Sequence, residues 1–117
     1  MENKYSKKTQ SLIEEFLSYI GSWKNIFSVS INYYIEGWAA YLREKSMFPR
    51  SIVVFNPYGF DYFSLKSFEV SYDKNAKELF TELYSKENIQ GLENLLCELK
   101  EVIYGKDLFN GLKSMDK

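Results

Sequence analysis

The sequence predicts an α+β domain in which an antiparallel meander of three or four strands packs one face against an N-terminal helix and two C-terminal helices. Two observations predict this arrangement. Apolar residues recur at helical spacing in the first and last parts of the chain, whereas the middle contains consecutive strand-like segments joined by turn residues. With 117 residues the chain fits a single domain, 1–117, whose ends, 1–6 and 106–117, are expected to be frayed or loosely docked.

The first element is a helix predicted over residues 7–20. Its apolar residues fall on one stripe of helical period, and Gly21 follows them in the position of a C-terminal cap. Because the helix has only one apolar stripe, the buried face of the sheet is its natural partner. The stripe consists of Leu12, Ile13, Phe16, Leu17 and Ile20.

Residues 25–45 fit two interpretations. Apolar or aromatic side chains alternate with polar ones from residue 27 onward, which favours a strand, although the same segment also places apolar residues at helical spacing. We favour a hairpin that turns at Glu36 and Gly37, with Gly37 able to adopt a positive φ. Ala39 and Ala40 in the second arm argue against this hairpin, since Ala is a poor strand residue. The alternating residues that would share one face are Phe27, Val29, Ile31, Tyr33 and Ile35.

Two further strands are predicted on either side of a proline- and glycine-containing turn. Residues 51–56 form a short apolar, β-branched run, and Pro57-Tyr58-Gly59 then supplies turn chemistry. Residues 60–72 are strand-like, with Phe63 and Leu65 expected to face the core. The apolar parity changes further along this strand, which predicts a bulge near Ser67.

The last third of the sequence predicts two helices. Asp73 is expected to cap the first, whose apolar residues lie at Ala76, Leu79, Phe80, Leu83 and Tyr84. The second has apolar residues at steps of three and four from Ile89 to Ile103 and ends at Gly105.

The composition excludes most catalytic and metal-binding arrangements. The chain contains no histidine, which removes the commonest general base, nucleophile activator and zinc ligand. Its single cysteine, Cys97, is expected to be a small, partly buried residue and not a reactive thiol. Glu98 and Glu101 are expected to be solvated beside an apolar stripe. We therefore predict no enzyme, no catalytic residue, no metal and no cofactor.

Charge and hydropathy limit which classes of partner and which cellular compartment are expected. Fifteen basic and 16 acidic residues give a formal net charge of −1, which weighs against a nucleic-acid partner and suits a basic protein partner. No apolar run approaches the roughly 20 residues of a membrane span, so we expect no membrane association. One cysteine and a polar N-terminal segment favour a reducing, cytoplasmic location.

The stretch "FNPYGFDYF", 55–63, places five aromatic rings in nine residues and is the first candidate for a contact surface. Tyr58, Phe60 and Tyr62 are expected to point outward if Phe63 belongs to the core. Tyrosine, tryptophan and acidic side chains grouped on a sheet and its turns are typical of an interaction surface. The predicted partner-binding residues are Tyr34, Glu36, Trp38, Tyr58, Phe60, Asp61, Tyr62, Glu69 and Asp73.

These features favour a non-enzymatic protein-binding module. Its most concrete form is a bacterial immunity protein or antitoxin that neutralises a basic, nuclease-like toxin by direct binding. One alternative is a small-molecule-binding domain, or an unusual enzyme that uses tyrosine and carboxylates in a pocket between sheet and helices. Another is a subunit of a homo- or hetero-oligomer that assembles through a strand edge. The sequence does not fix the oligomeric state.

Overall fold

A computed structural model describes residues 7–46 and 49–105, and it confirms the α+β class. Five antiparallel strands, against the three or four predicted, follow one another in the order β1-β2-β3-β4-β5, and two helices pack on one face of this sheet. The ends predicted to be frayed, 1–6 and 106–117, lie outside the described residues. The elements are α1 (Lys7–Ile20), a 3-10 turn (Gly21–Trp23), β1 (Phe27–Tyr33), β2 (Gly37–Glu44), β3 (Arg50–Pro57), β4 (Tyr62–Tyr72), β5 (Glu78–Gln90) and α2 (Gly91–Ile103).

The N-terminal helix has the predicted bounds. Ile13, Phe16 and Ile20 are buried and carry the apolar stripe into the core. Gly21 does not form a left-handed cap, because it continues the chain directly into the 3-10 turn. A left-handed glycine does follow α2, where Gly105 has φ 115° and ends the helix as predicted.

The β1–β2 hairpin is present, so the helical interpretation of this segment is wrong. Tyr33 pairs with Trp38, and the backbone N–H of Tyr34 donates to Gly37 O at 2.8 Å. The turn residues are therefore Ile35 and Glu36, one position earlier than predicted. Gly37 does not have a positive φ; a Cβ at this position would collide with the backbone oxygen of Asn56, so close approach of β3 is what requires glycine.

The irregularity predicted near Ser67 is present, but it lies on the neighbouring strand. β4 pairs with β3 without interruption, whereas its register with β5 shifts between Phe63 and Leu65 and again between Ser67 and Phe68. Ser67 pairs with Tyr84 and the next residue pairs with Glu82, so the extra residue belongs to β5.

The predicted helix after Asp73 is wrong, because residues 78–90 form β5, and up to residue 105, where the description of the chain ends, a single helix follows. The carboxylate of Asp73 caps a hairpin turn instead. Its Oδ1 accepts the backbone N–H groups of Asn75 at 2.8 Å and Lys77 at 2.9 Å. Ala76 completes this turn with a φ of 64°, in the left-handed region.

Arg50, at the start of β3, ties the C-terminal end of α2 to the sheet. Its buried guanidinium donates from Nη1 to Val102 O at 2.8 Å and from Nη2 to Ile103 O at 3.0 Å. It also forms an ion pair with Glu44, with Nε to Oε1 at 3.2 Å. A cation at a helix C-terminus is favoured by the helix dipole, so this contact stabilises the docking of α2.

Glu98 of α2 is buried, so the prediction that it is solvated is wrong. Its Oε2 accepts a hydrogen bond from the hydroxyl of Tyr84, and its Oε1 lies 3.3 Å from Nζ of Lys86. Both partners lie on β5. This polar contact therefore links α2 to the last strand of the sheet.

Candidate protein-binding surface at the turn end of the sheet

Two turns meet at one end of the sheet and bring most of the predicted contact residues together. The backbone N–H of Tyr58 donates to Glu36 O at 3.1 Å, which joins the β1–β2 turn to the β3–β4 turn. The start of α2 is attached there as well, since Gly91 N donates to Asp61 O at 2.7 Å. We call residues 34–36 and 57–62 the turn end.

The buried amide of Asn56 fixes the shape of the turn end. Its Oδ1 accepts from Nε1 of Trp38 at 2.8 Å, and its Nδ2 donates to the carbonyl oxygens of Phe60 and Tyr62 at 3.0 and 2.9 Å. Gly59, with a φ of 82°, allows the reversal between the hydrogen-bonded Pro57 and Phe60. The loop is thus held by hydrogen bonds from the protein interior.

Large apolar side chains project from this fixed backbone. Ile35, at the tip of the β1–β2 turn, is 92% exposed, and Phe60 is 55% exposed. The ring of Phe60 packs against that of Tyr62, with 5.3 Å between the centroids. Glu36 and Asp61 are exposed beside them. Apolar anchors flanked by carboxylates on a rigid backbone are suited to contact a protein surface that carries positive charge.

Tyr34 is held on the sheet face that lies away from the helices. Its hydroxyl is 2.7 Å from that of Tyr41, and Nδ2 of Asn32 lies 3.4 Å away. The hydrogen bond with Tyr41, followed by that with Asn32, lowers the pKa of Tyr34, whereas the same tyrosine pair raises the pKa of Tyr41. The pair fixes the Tyr34 ring in place on this face of the turn end.

Three of the predicted contact residues do not lie at the turn end. Trp38 is fully buried, with its ring 5.7 Å from that of Phe16, because it alternates onto the helix-facing side of β2. Its indole is a core anchor and is out of a partner's reach. Glu69 and Asp73 lie toward and just beyond the other end of β4, which spans about 33 Å from Tyr62 to Tyr72 at strand rise.

Sequence reasoning missed two residues that define this surface. The alternation predicts Ile35 on the core face of a strand, whereas the one-residue shift of the turn places it at the hairpin tip. Asn56 was expected only as the last residue of a strand. Its position before Pro57 is a turn signal, but its three side-chain hydrogen bonds depend on contacts that the sequence does not show.

A second surface feature is a groove of about 430 Å³ between the 3-10 turn and α2. Aromatic rings line it together with two charged side chains that lie about two helical turns apart on α2. Cys97 is exposed in this groove, so the prediction that it is partly buried is wrong. The lining residues are Tyr19, Ser22, Trp23, Glu93, Leu96, Cys97, Lys100 and Tyr104.

Comparisons with protein-family models, with curated proteins and with solved structures returned no match. Within residues 7–46 and 49–105, no group of three or more His, Cys, Asp or Glu side chains is placed to hold a metal ion. Neither helix in that part of the chain is long and apolar enough to cross a bilayer. What the chain binds must therefore be inferred from its own surface.

Proposed function

We propose that this chain is a non-enzymatic protein-binding module that contacts a basic protein partner through the turn end. In its most concrete form it is a cytoplasmic bacterial immunity protein or antitoxin that neutralises a nuclease-like toxin by direct binding. One observation carries the proposal: Ile35 and Phe60 are exposed on two hydrogen-bonded turns, and each is followed in sequence by an exposed carboxylate, Glu36 and Asp61.

The rigidity of the turn end favours binding, because little conformational freedom is lost when a partner covers it. The Asn56 amide holds the Phe60 backbone before a partner arrives, so the free energy of burying the ring is not spent on ordering the loop. The phenyl ring then serves as an anchor for a pocket on the partner.

The carboxylates support a basic partner. Exposed acids beside an apolar anchor accelerate encounter with a positively charged surface and select against acidic proteins. A nuclease active site that binds phosphates presents such a surface, and Glu36 and Asp61 would occupy the positions of phosphate charges. The chain has no histidine and a net charge of −1, which also favours this role over catalysis or nucleic-acid binding.

Co-expression with the product of the neighbouring gene tests the proposal. We expect a complex that co-purifies and relieves the growth defect caused by that product. Phe60→Ala should raise the dissociation constant at least tenfold, as loss of an interface anchor does. Asp61→Lys should mainly slow association and weaken its dependence on salt.

Matched controls lie on β5. Phe80 is also 55% exposed and Glu82 is an exposed acid, and neither is at the turn end. Phe80→Ala and Glu82→Lys should leave the affinity unchanged. A neighbouring gene product that neither binds nor is neutralised would refute the immunity role, and equal losses in the Phe60 and Phe80 variants would refute the assignment of the surface.

The groove favours a second candidate function, the binding of a small aromatic molecule. Its volume of about 430 Å³ and its lining of three aromatic rings with Glu93 and Lys100 are typical of ligand pockets. Trp23 lines the groove, so its fluorescence should report binding in a screen of small aromatic acids and amines. A ligand that protects Cys97 from a maleimide would support this function, whereas labelling at an unchanged rate with every compound would refute it.

A further inference from the structure

The outer side of β1 is an open sheet edge. At the two ends of β1, Tyr34 N donates to Gly37 O and Ile26 O accepts from Lys45 N. The even-numbered residues of β1 therefore direct their backbone N–H and C=O groups toward β2. By alternation, Val29 and Ile31 direct theirs away from it. Within residues 7–46 and 49–105, no strand pairs with this side of β1.

β1 also lacks the features that normally protect an edge strand. Its seven residues, FSVSINY, include no charge, proline or glycine, and its register with β2 is uninterrupted. The opposite edge differs, since β5 carries Glu78, Glu82, Lys86 and Glu87 and contains two register shifts. Charges and bulges are the usual defence against edge-to-edge pairing, so only β1 is suited to accept another strand.

We propose that this edge binds the same edge of a second copy of the chain, so that two β1 strands pair antiparallel about a two-fold axis at Ser30. In this register Val29 lies opposite Ile31 of the second copy, and Ile31 lies opposite its Val29. Both residues direct their backbone groups outward, so each pair exchanges two hydrogen bonds. The two sheets would then form one continuous sheet with all helices on the same side.

The ends of β1 are complementary in this arrangement. Antiparallel pairing about Ser30 places the exposed Ile26 of one copy opposite the exposed Tyr34 of the other. The strand itself is uncharged, and no like charges face each other across the axis. These features favour a second copy over an unrelated peptide.

Sedimentation of the full chain over a wide concentration range tests the proposal. We expect a reversible increase from 13.8 kDa to twice that mass. Ser30 is exposed, and Ser30→Lys would place two lysines directly opposite each other on the axis. This change should raise the dimer dissociation constant about fivefold or more. Ser30→Glu should do the same, and an equimolar mixture of the two variants should restore dimers.

Ser85→Lys is the matched control, because it introduces the same charge at an exposed serine of the other edge strand. It should leave the dissociation constant unchanged. A wild-type chain that stays monomeric at all concentrations, equal effects of the two lysine variants, or a mixture that dimerises no better than its components would each overturn the dimer. Ser30→Lys should not disturb the contacts of Phe60 and Asp61 with a toxin, so failure of one proposal is distinguishable from failure of the other.

Discussion

The two edge strands of the sheet are held by different forces. β1 follows a regular alternation, with Phe27 fully buried and Val29 and Ile31 packed against the core. β5 is almost entirely exposed along its 13 residues, and Ile89 is its one buried residue. An apolar pattern therefore specifies the β1 edge of this sheet, whereas hydrogen bonding and polar contacts specify the β5 edge.

Two polar contacts hold β5 in addition to its ladder with β4. On the helix side, Tyr84 and Lys86 bind the buried carboxylate of Glu98. On the other side, Nη2 of Arg43 lies 2.7 Å from Oε2 of Glu78. The hydrogen bond between them lowers the pKa of Glu78 and raises that of Arg43. Both contacts attach the strand through charged groups, which leave no apolar signature in the sequence.

The largest expected change in unfolding free energy comes from comparing the loss of one phenylalanine on each edge strand. Phe27→Ala should lower the free energy of unfolding by about 3–5 kcal/mol, since it removes a fully buried ring from the core. Phe80→Ala should cost far less, because the Phe80 side chain is half exposed and its ring lies 6.3 Å from that of Phe68 on the sheet surface. Urea denaturation of both variants measures the difference. Similar losses would show that β5 depends on apolar burial as much as β1 does.

A smaller effect tests the polar attachment of β5. Glu98→Ala deprives Tyr84 and Lys86 of their shared acceptor and should cost about 1–3 kcal/mol. Glu93→Ala, an exposed acid on the same helix, is the control and should cost much less. Hydrogen exchange should accelerate in β5 more than in β1 if Glu98 holds this strand. Uniform acceleration across the sheet would instead assign Glu98 a general role in packing α2.

The same contrast explains which elements the sequence predicts. The stripe of α1 and the alternation of β1 follow directly from the burial of Phe16 and Phe27, so both elements are predicted correctly. In β5, apolar residues at Leu79, Phe80 and Leu83 have helical spacing, and the two extra residues break any period of two. Pairing with β4 decides the structure there, and pairing is not visible in the segment itself.

The candidate surface could be predicted in part for related reasons. Turn chemistry identifies the turn at Pro57 to Gly59, and the outward position of Phe60 follows from strand parity once Phe63 is assigned to the core. The prediction that Tyr58 points outward is wrong, because its half-buried side chain packs against the core. The position of Ile35 depends on whether the hairpin turns at residues 35–36 or at residues 36–37, and the sequence does not distinguish these two turns. Burial of Trp38 depends on its contacts with Phe16 and Asn56, which lie far away in sequence.

The smallest expected change in unfolding free energy comes from comparing glycine substitutions in the turns that lead into β2 and β5. Ala76 adopts a φ of 64°, a conformation that costs a residue with a Cβ about 1–2 kcal/mol. Ala76→Gly removes this cost but increases the entropy of the unfolded chain, so the net gain in unfolding free energy should be about 0.5–1 kcal/mol. Ile35→Gly is the control in the β1–β2 turn, where Ile35 has no positive φ to relieve, and it should stabilise nothing. Thermal denaturation of the two variants measures both changes, and a loss of stability in Ala76→Gly would mean that the β4–β5 turn is not strained.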